Sequence, residues 1–98
     1  MKMLSLYNEK RNVLTHAKIV VNDCKYTLYD YNTEISTIDE IRKVVEFTNY
    51  YNFSTTTTRT LKAFLDTFGI MSDYSTKKGA KMIKDAKYND YVVTYKTV

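Results

Sequence analysis

The chain has 98 residues and a net charge of +4, with 44% hydrophobic and 27% charged residues, a composition typical of one globular domain with a modest core. No apolar run approaches the roughly 20 residues of a membrane-spanning helix, and the N-terminus lacks the pattern of a signal peptide. A single cysteine, Cys24, excludes an internal disulfide and fits a reducing cytoplasm. We therefore expect one cytoplasmic domain, residues 1–98, with no membrane partner.

Charge and tyrosine content are both distinctive. Residues 1–75 carry nine Lys/Arg and nine Asp/Glu, whereas residues 76–98 carry six lysines against two aspartates. The positive excess therefore lies in the C-terminal quarter. Ten tyrosines and no tryptophan are present. Packing on a sheet accounts for most of these tyrosines, and a tyrosine-lined binding face is the alternative.

Strand patterns dominate the first third of the chain. Residues 3–7 are predicted as a strand, although 3–15 also fit a loose helix. A turn at Asn22-Asp23 would pair the segments on either side as a hairpin. In that register one face collects six apolar or aromatic residues: Ala17, Ile19, Val21, Cys24, Tyr26 and Leu28.

Residues 30–49 contain a second turn and a conflict between two patterns. Residues 30–32 favour a turn and 33–38 a strand rich in β-branched residues. The four residues from Thr37 match a helix capping box, and apolar residues after them recur at helical spacing. Against this, Val44–Thr48 alternates like a strand. We predict a turn at 39–42 and a strand at 43–49.

Residues 56–68 have the strongest helix pattern in the chain. An apolar stripe at i, i+3, i+4 and i+7 is formed by Leu61, Phe64, Leu65 and Phe68. The hydroxyl residues at 54–58 offer several N-caps. Gly69 stands where a left-handed residue is expected after the helix. Because so narrow a stripe cannot hold a helix by itself in water, we expect it to pack on the predicted sheet.

The C-terminal quarter is predicted to form a basic helix over 76–87 and a last strand over 91–97. The basic residues of this helix are Lys77, Lys78, Lys81, Lys84 and Lys87. They suit contact with a nucleic-acid backbone, without sequence reading, or with an acidic protein, and a solvated helix face is the alternative. The predicted fold class is α+β, with a small antiparallel sheet of four to five strands and two helices, at about 56–68 and 76–87.

The sequence contains no catalytic, metal-binding or cofactor-binding pattern. One histidine and one cysteine cannot form a structural zinc site, and the predicted hairpin separates Cys24 from His16 by about 16 Å. Two glycines do not build a phosphate loop. The start of the central helix, with Arg59 and Lys62 nearby, is a candidate anion site; the alternative is that its threonines only cap the helix. We expect a non-enzymatic protein without metal or cofactor.

Two segments carry a family resemblance. Leu28–Ile35 is similar to a Tyr-x-Tyr-x-Thr-x-Ile strand and turn, and Phe53–Leu65 to a helix capped by Ser-x-Thr-Thr, with Arg59 replacing a lysine and Thr60 a histidine. The matching positions of the second segment are Ser54, Thr56, Thr57, Leu61, Phe64 and Leu65. The pair resembles small uncharacterised proteins encoded by phages of Gram-positive bacteria. The resemblance implies a phage origin and a short β-rich unit ending in a helix, and it implies no activity.

The lack of a catalytic pattern and the resemblance to small phage proteins together predict a binding protein that acts in the cytoplasm of a bacterial host. The expected partner is a host protein or ribonucleoprotein effector, such as a CRISPR effector, that the protein inhibits by stoichiometric binding. A nucleic-acid backbone is a further expected partner, and a homodimer is an option. The alternative function is a sequence-tolerant nucleic-acid-binding phage accessory protein that uses the lysine-rich helix. Besides the five lysines above, the predicted contact residues are Arg59, Lys62, Tyr50, Tyr51 and Tyr88.

Overall fold

The computed structural model describes residues 2–8, 10–70, 81, 83–84 and 86–98. In this part of the chain six strands form one sheet in sequence order, with one helix whose bounds are defined. The strands are β1 (Lys2–Tyr7), β2 (Val13–Asn22), β3 (Lys25–Asp30), β4 (Thr33–Asp39), β5 (Val44–Thr48) and β6 (Val92–Lys96), and the helix is α1 (Thr55–Thr67). The predicted α+β class is confirmed.

The sheet is mixed, not antiparallel, and has more strands than the predicted four to five. β1 to β5 pair antiparallel, each with its neighbour in sequence, whereas β5 and β6 pair parallel. Short turns reverse the chain between β1 and β5. A parallel neighbour needs a long crossover connection, and the segment that contains α1 supplies it, so β6 runs in the same direction as β5.

The turn between β2 and β3 lies one residue later than predicted. Asn22 pairs with Lys25, which leaves Asp23 and Cys24 as the turn. Asp23 has a φ of +57°, a conformation that aspartate tolerates well. Cys24, predicted to lie on the apolar face of the hairpin, is exposed because the turn removes it from the strand ladder.

This change moves every pairing by two residues along β3. Ile19 lies opposite Leu28, two positions beyond its predicted partner. A two-residue shift leaves each side chain on its own face, so the predicted apolar face persists without Cys24. The shift also places Asp30 opposite Ala17, on the buried face of the sheet, where only 4% of Asp30 is exposed.

The predicted turn and strand after β4 are confirmed. The Asp39 carboxylate accepts hydrogen bonds from the backbone N–H groups of Ile41 and Arg42 at 3.1 and 3.0 Å. Lys43 then takes a φ of +57° immediately before β5. The side chain of Asp39 therefore holds a tight turn, and the capping-box pattern starts no helix here.

Both ends of α1 are fixed by local interactions. Ser54 is the N-cap, and its side chain accepts the N–H of Thr57 at 3.1 Å. Gly69 has a φ of +63°, and the amides of Gly69 and Ile70 close the last turn in the Schellman pattern. The predicted helix is confirmed, with bounds that differ by one residue at each end.

The predicted basic helix lies largely outside the described residues. Its positions 76–80, 82 and 85, which include Lys77 and Lys78, are not described. The backbone is helical at 81, 83 and 84 and is not helical at Ala86 and Lys87, so the predicted end at 87 is too late.

The core lies between α1 and one face of the sheet. Leu61, Phe64 and Leu65 are fully buried, as predicted, whereas Phe68 is half-buried with its ring 4.6 Å from that of Tyr26. The sheet contributes Leu6, Ala17, Ile19, Leu28, Ile35, Ile38, Val45 and Phe47, and the C-terminal segment contributes Ile83 and Tyr88. Burial of this apolar surface is the main stabilising term for so small a domain.

The opposite face of the sheet carries several interacting polar side chains beside exposed Met3 and Val92. Thr27 and Thr37 lie directly opposite each other with their hydroxyl oxygens 3.1 Å apart. Lys96 bridges Glu34 at 2.7 Å and Glu46 at 3.5 Å. Its hydrogen bond to Glu34 raises the pKa of Lys96 above the ordinary value.

Candidate interaction surface

A buried carboxylate lies under the start of α1. Asp30 is the last residue of β3, and its Oδ2 accepts a hydrogen bond from the Thr57 hydroxyl at 3.1 Å. Because that proton goes to the carboxylate, the Ser54 hydroxyl, 3.1 Å away, must donate to Thr57. A chain of hydroxyls therefore runs from the N-cap of α1 to Asp30.

His16 lies on the other side of this carboxylate. Its Nε2 is 3.0 Å from the Thr60 hydroxyl, which donates its own proton to the Thr56 carbonyl at 3.0 Å. Nε2 must therefore carry a hydrogen. The same nitrogen is 3.6 Å from Asp30 Oδ1, a buried oxygen that accepts no hydrogen bond in the described part of the chain.

Three concave regions meet above this polar cluster. A groove of about 590 Å³ lies beside α1, a pocket of about 280 Å³ lies at its start, and a shallow cleft lies along β2. The groove and the cleft share His16, the cleft and the pocket share Tyr31, and the pocket and the groove share Thr56. Each of these residues lines two of the regions, so the three regions adjoin one another.

The groove, which we call the cationic groove, is lined by Lys10, Arg59, Lys62 and His16 and contains one acidic residue, Asp66. Lys62 pairs with Asp66 at 2.7 Å, as expected for residues four apart on a helix. Lys10 and Arg59 form no ion pair with any other described residue. The groove therefore presents a net positive charge.

The pocket at the start of α1, which we call the aromatic pocket, is lined by Tyr31, Tyr50 and Phe53. Phe53 is 75% exposed and Tyr31 71% exposed. The ring of Tyr50 lies edge-on to Phe53 at 6.2 Å, and Tyr31 stacks on His16 at 5.1 Å. Neighbouring rings thus hold two large exposed aromatic side chains in place.

The threonines at the start of α1 are engaged internally. Thr57 donates to Asp30, Thr58 donates to the Ser54 carbonyl at 2.9 Å, and Thr60 donates to the Thr56 carbonyl. These hydroxyls therefore cap and pack the helix, which was the alternative to an anion site. Arg59 and Lys62, the other members of the predicted anion site, lie in the cationic groove.

The lysines predicted for the basic helix lie elsewhere. Lys81, Lys84 and Lys87 are exposed, and none of them lines the groove, the cleft or the pocket. Lys77 and Lys78 lie outside the described residues.

Two of the three predicted contact tyrosines lie away from this surface. Tyr51 is half-buried, with its ring 5.7 Å from Phe47 and 5.9 Å from Tyr95. Tyr88 is only 8% exposed, and its hydroxyl donates to the Ile83 carbonyl. Burial raises the pKa of the Tyr88 hydroxyl above its ordinary value. The position of Tyr88 is that of a core residue and does not fit the predicted role as a surface anchor.

Sequence reasoning missed the centre of the site. His16 lies opposite Tyr31 at one end of the β2–β3 hairpin, and Cys24 lies in the turn at the other end, so the two remain far apart. His16 instead meets Asp30, which was predicted to lie in the turn at 30–32 and is the last residue of β3. Asp30 opposite Ala17 would have indicated a buried charge that needs a partner. That pairing follows only when the turn is placed at Asp23-Cys24.

No protein-family model, curated protein or solved structure matches this chain. In the described part of the chain, no three His, Cys, Asp or Glu side chains converge as a metal site would require. No helix among the described residues is long and apolar enough to cross a membrane. Function is therefore inferred from the chemistry of the concave surface.

Proposed function

We propose that this protein is a phage-encoded, non-enzymatic binding protein that inhibits a host nucleic-acid-handling defence complex, such as a CRISPR effector, by stoichiometric binding. The observation that carries the proposal is the pair of exposed aromatic side chains, Tyr31 and Phe53, beside the cationic groove. The resemblance of two segments to small phage proteins supports the phage origin.

Exposed aromatic rings next to positive charge suit a ribonucleoprotein partner. Large aromatic side chains are the residues most often responsible for binding energy at interfaces, whereas charges at the rim mainly accelerate encounter and set orientation. Residues 1–75 carry equal numbers of basic and acidic residues, so they lack the dense acidic face of a DNA mimic. Inhibition would then come from covering a surface of the complex.

The test is a phage-plaquing assay in a host with active CRISPR immunity, with and without this protein. Plaques should recover when the protein is expressed. Phe53→Ala and Tyr31→Asn should reverse this recovery; asparagine tolerates the positive φ of +50° at position 31. Ile41→Ala is the matched control, because Ile41 is 74% exposed and lies in the turn at the far end of β4. Unchanged immunity for every CRISPR type of the natural host would refute the proposal.

Stoichiometry separates this mechanism from an enzymatic one. A purified effector should lose activity in proportion to added protein and reach full inhibition near a one-to-one ratio. Complete inhibition at a small fraction of the effector concentration would require turnover and would contradict a binding mechanism.

A second candidate function is sequence-tolerant nucleic-acid binding by the lysine-rich segment. It is favoured by the exposure of Lys81 and Lys84, which lie at helical positions. Affinity for duplex DNA should then fall with salt, with a log–log slope near −0.9 per phosphate neutralised. The double substitution Lys81→Gln/Lys84→Gln should reduce both the affinity and the slope. Duplex binding that this double variant leaves unchanged would remove the candidate.

A further inference from the structure

We infer that the cationic groove and the aromatic pocket form one site for single-stranded nucleic acid, with phosphates in the groove and unpaired bases on Tyr31 and Phe53. The inference rests on the proposed function in one respect, because the defence complex would supply the strand. The component of that complex that this surface contacts would then be its single-stranded nucleic acid.

The first argument is proximity. His16, Tyr31 and Thr56 each line two of the three concave regions, so the groove and the pocket adjoin each other and one ligand can contact both. Nucleic-acid strands bind along such tracks, with the backbone following the positive groove and successive bases stacking on aromatic side chains.

The second argument is charge. Lys10 and Arg59 form no ion pair with the described residues, and Lys18 lines the adjoining cleft. Two carboxylates line the groove and the pocket, and both are already engaged or enclosed: Asp66 pairs with Lys62, and Asp30 is 4% exposed. An anionic backbone would therefore meet positive charge along the groove and little opposing charge.

The third argument concerns the state of the strand. Flat aromatic rings stack only on bases whose faces are uncovered, and a duplex covers those faces with neighbouring base pairs. Tyr31 is held by stacking on His16 at an interplanar angle of 19° and still exposes 71% of its surface. Two exposed rings at the end of a cationic groove thus select an unpaired strand over a duplex.

The polar cluster beneath the surface fixes this geometry. His16 supports the ring of Tyr31 and is itself held by its hydrogen bond to Thr60 on α1. The bond between Thr57 and Asp30 joins the start of the same helix to β3. Groove and pocket are therefore parts of one packed unit, and little ordering remains when a strand binds.

Binding of labelled oligonucleotides, measured by fluorescence anisotropy, tests the inference. The probes are a single-stranded RNA 12-mer, the matching single-stranded DNA and the DNA duplex, with poly-glutamate as a competitor. The wild-type protein should bind the single strands more tightly than the duplex, and the affinity should fall with salt by about −0.7 in log–log slope per phosphate. Poly-glutamate should compete poorly, because it has no bases to stack.

Variants separate the two halves of the site. Arg59→Gln and Lys10→Gln should each weaken binding and lower the salt slope by about 0.7. Phe53→Ser should weaken single-strand binding by about 5- to 150-fold with the slope unchanged, since it removes one stacking platform. Lys25→Gln is the control: it removes the same charge from an exposed position at the far end of β3 and should leave affinity unchanged.

Three results would overturn the inference: no binding of any single strand at 50 mM salt, equal affinity for the duplex, or equal losses for Lys25→Gln and Arg59→Gln. Effective competition by poly-glutamate, with no loss for Phe53→Ser, would assign the groove to an acidic peptide instead. The immunity assay distinguishes this failure from failure of the proposed function. Restored plaques without oligonucleotide binding reject only the inference, and oligonucleotide binding with intact immunity rejects only the inhibitory function.

Discussion

Replacing Thr57 with valine is expected to destabilise the protein by removing the hydrogen bond to Asp30. Valine keeps the shape of threonine, so the change isolates the hydroxyl, which is 3.1 Å from Asp30 Oδ2. A hydrogen bond to a charged group contributes about 1.5–3 kcal/mol to the free energy of unfolding. For a domain of this size that corresponds to a fall in Tm of roughly 6–24 °C.

The matched control is Thr55→Val. Thr55 is the first residue of α1 and is exposed, so its substitution carries the same change in helix propensity without loss of a buried partner. Urea denaturation followed by circular dichroism gives both free energies of unfolding. A difference between the two variants below about 0.5 kcal/mol would refute the assigned bond between α1 and β3.

A double-mutant cycle tests the partner as well as the hydroxyl. In an Asp30→Asn background the buried group carries no charge, so Thr57→Val should cost about 1 kcal/mol less than it costs in the wild-type protein. Additive effects of the two substitutions would show that the hydroxyl and the carboxylate do not interact. The same network supports His16 and the start of α1, so the cycle also tests the base of the proposed binding site.

Three further predictions concern the core, the helix end and pH. Phe64→Ala should lower the free energy of unfolding by roughly 3–5 kcal/mol, because Phe64 is 0% exposed, whereas a melt of Phe53→Ala should be nearly unchanged; equal effects would mean that α1 is misplaced. Gly69→Ala should lower the free energy of unfolding, measured in urea, by about 1 kcal/mol through the positive φ alone, since no atom lies within 4 Å of the added Cβ. Gly69→Asn should cost less. An alanine variant as stable as the wild-type protein would contradict the left-handed conformation at the end of α1. Because burial raises the pKa of Tyr88 in the folded state, the contribution of this tyrosine to stability is complete below about pH 10 and is lost at higher pH, by up to about 1.4 kcal/mol per pH unit. The Tm measured from pH 8 to 11 should therefore fall less steeply for Tyr88→Phe than for the wild-type protein. An identical slope would place Tyr88 at the surface.

Local sequence was enough to predict the helix and most turns. Three neighbouring features define the body and both ends of α1: the apolar stripe from Leu61 to Phe68, the hydroxyl of Ser54 and the glycine at position 69. The turn that begins at Asp39 is equally local, because its carboxylate bonds to amides two and three residues ahead. Interactions of such short range depend on neighbouring residues alone, and the sequence lists those neighbours directly.

Strand register and sheet order depended on distant partners. Turns at Asn22-Asp23 and at Asp23-Cys24 keep nearly the same apolar residues on one face, so alternation cannot choose between them. The choice decides which residue lies opposite Asp30, and in the structure that residue is Ala17. Similarly, no local pattern says that β6 returns parallel to β5, because that direction depends on how the intervening chain crosses the sheet.

The candidate site, like the strand register, depends on distant partners. Its residues come from β2, the end of β3, the following turn and the start of α1, segments separated by up to 44 residues in the His16–Thr60 pair. The sequence alone determined the α+β class, the capped helix and the apolar face on which it packs, because these follow from periodicity and from contacts between near neighbours. Only the tertiary structure decided that His16, Tyr31, Phe53 and Arg59 line adjoining concave regions, because their proximity depends on where the packed helix lies over a sheet whose register is set by long-range pairing.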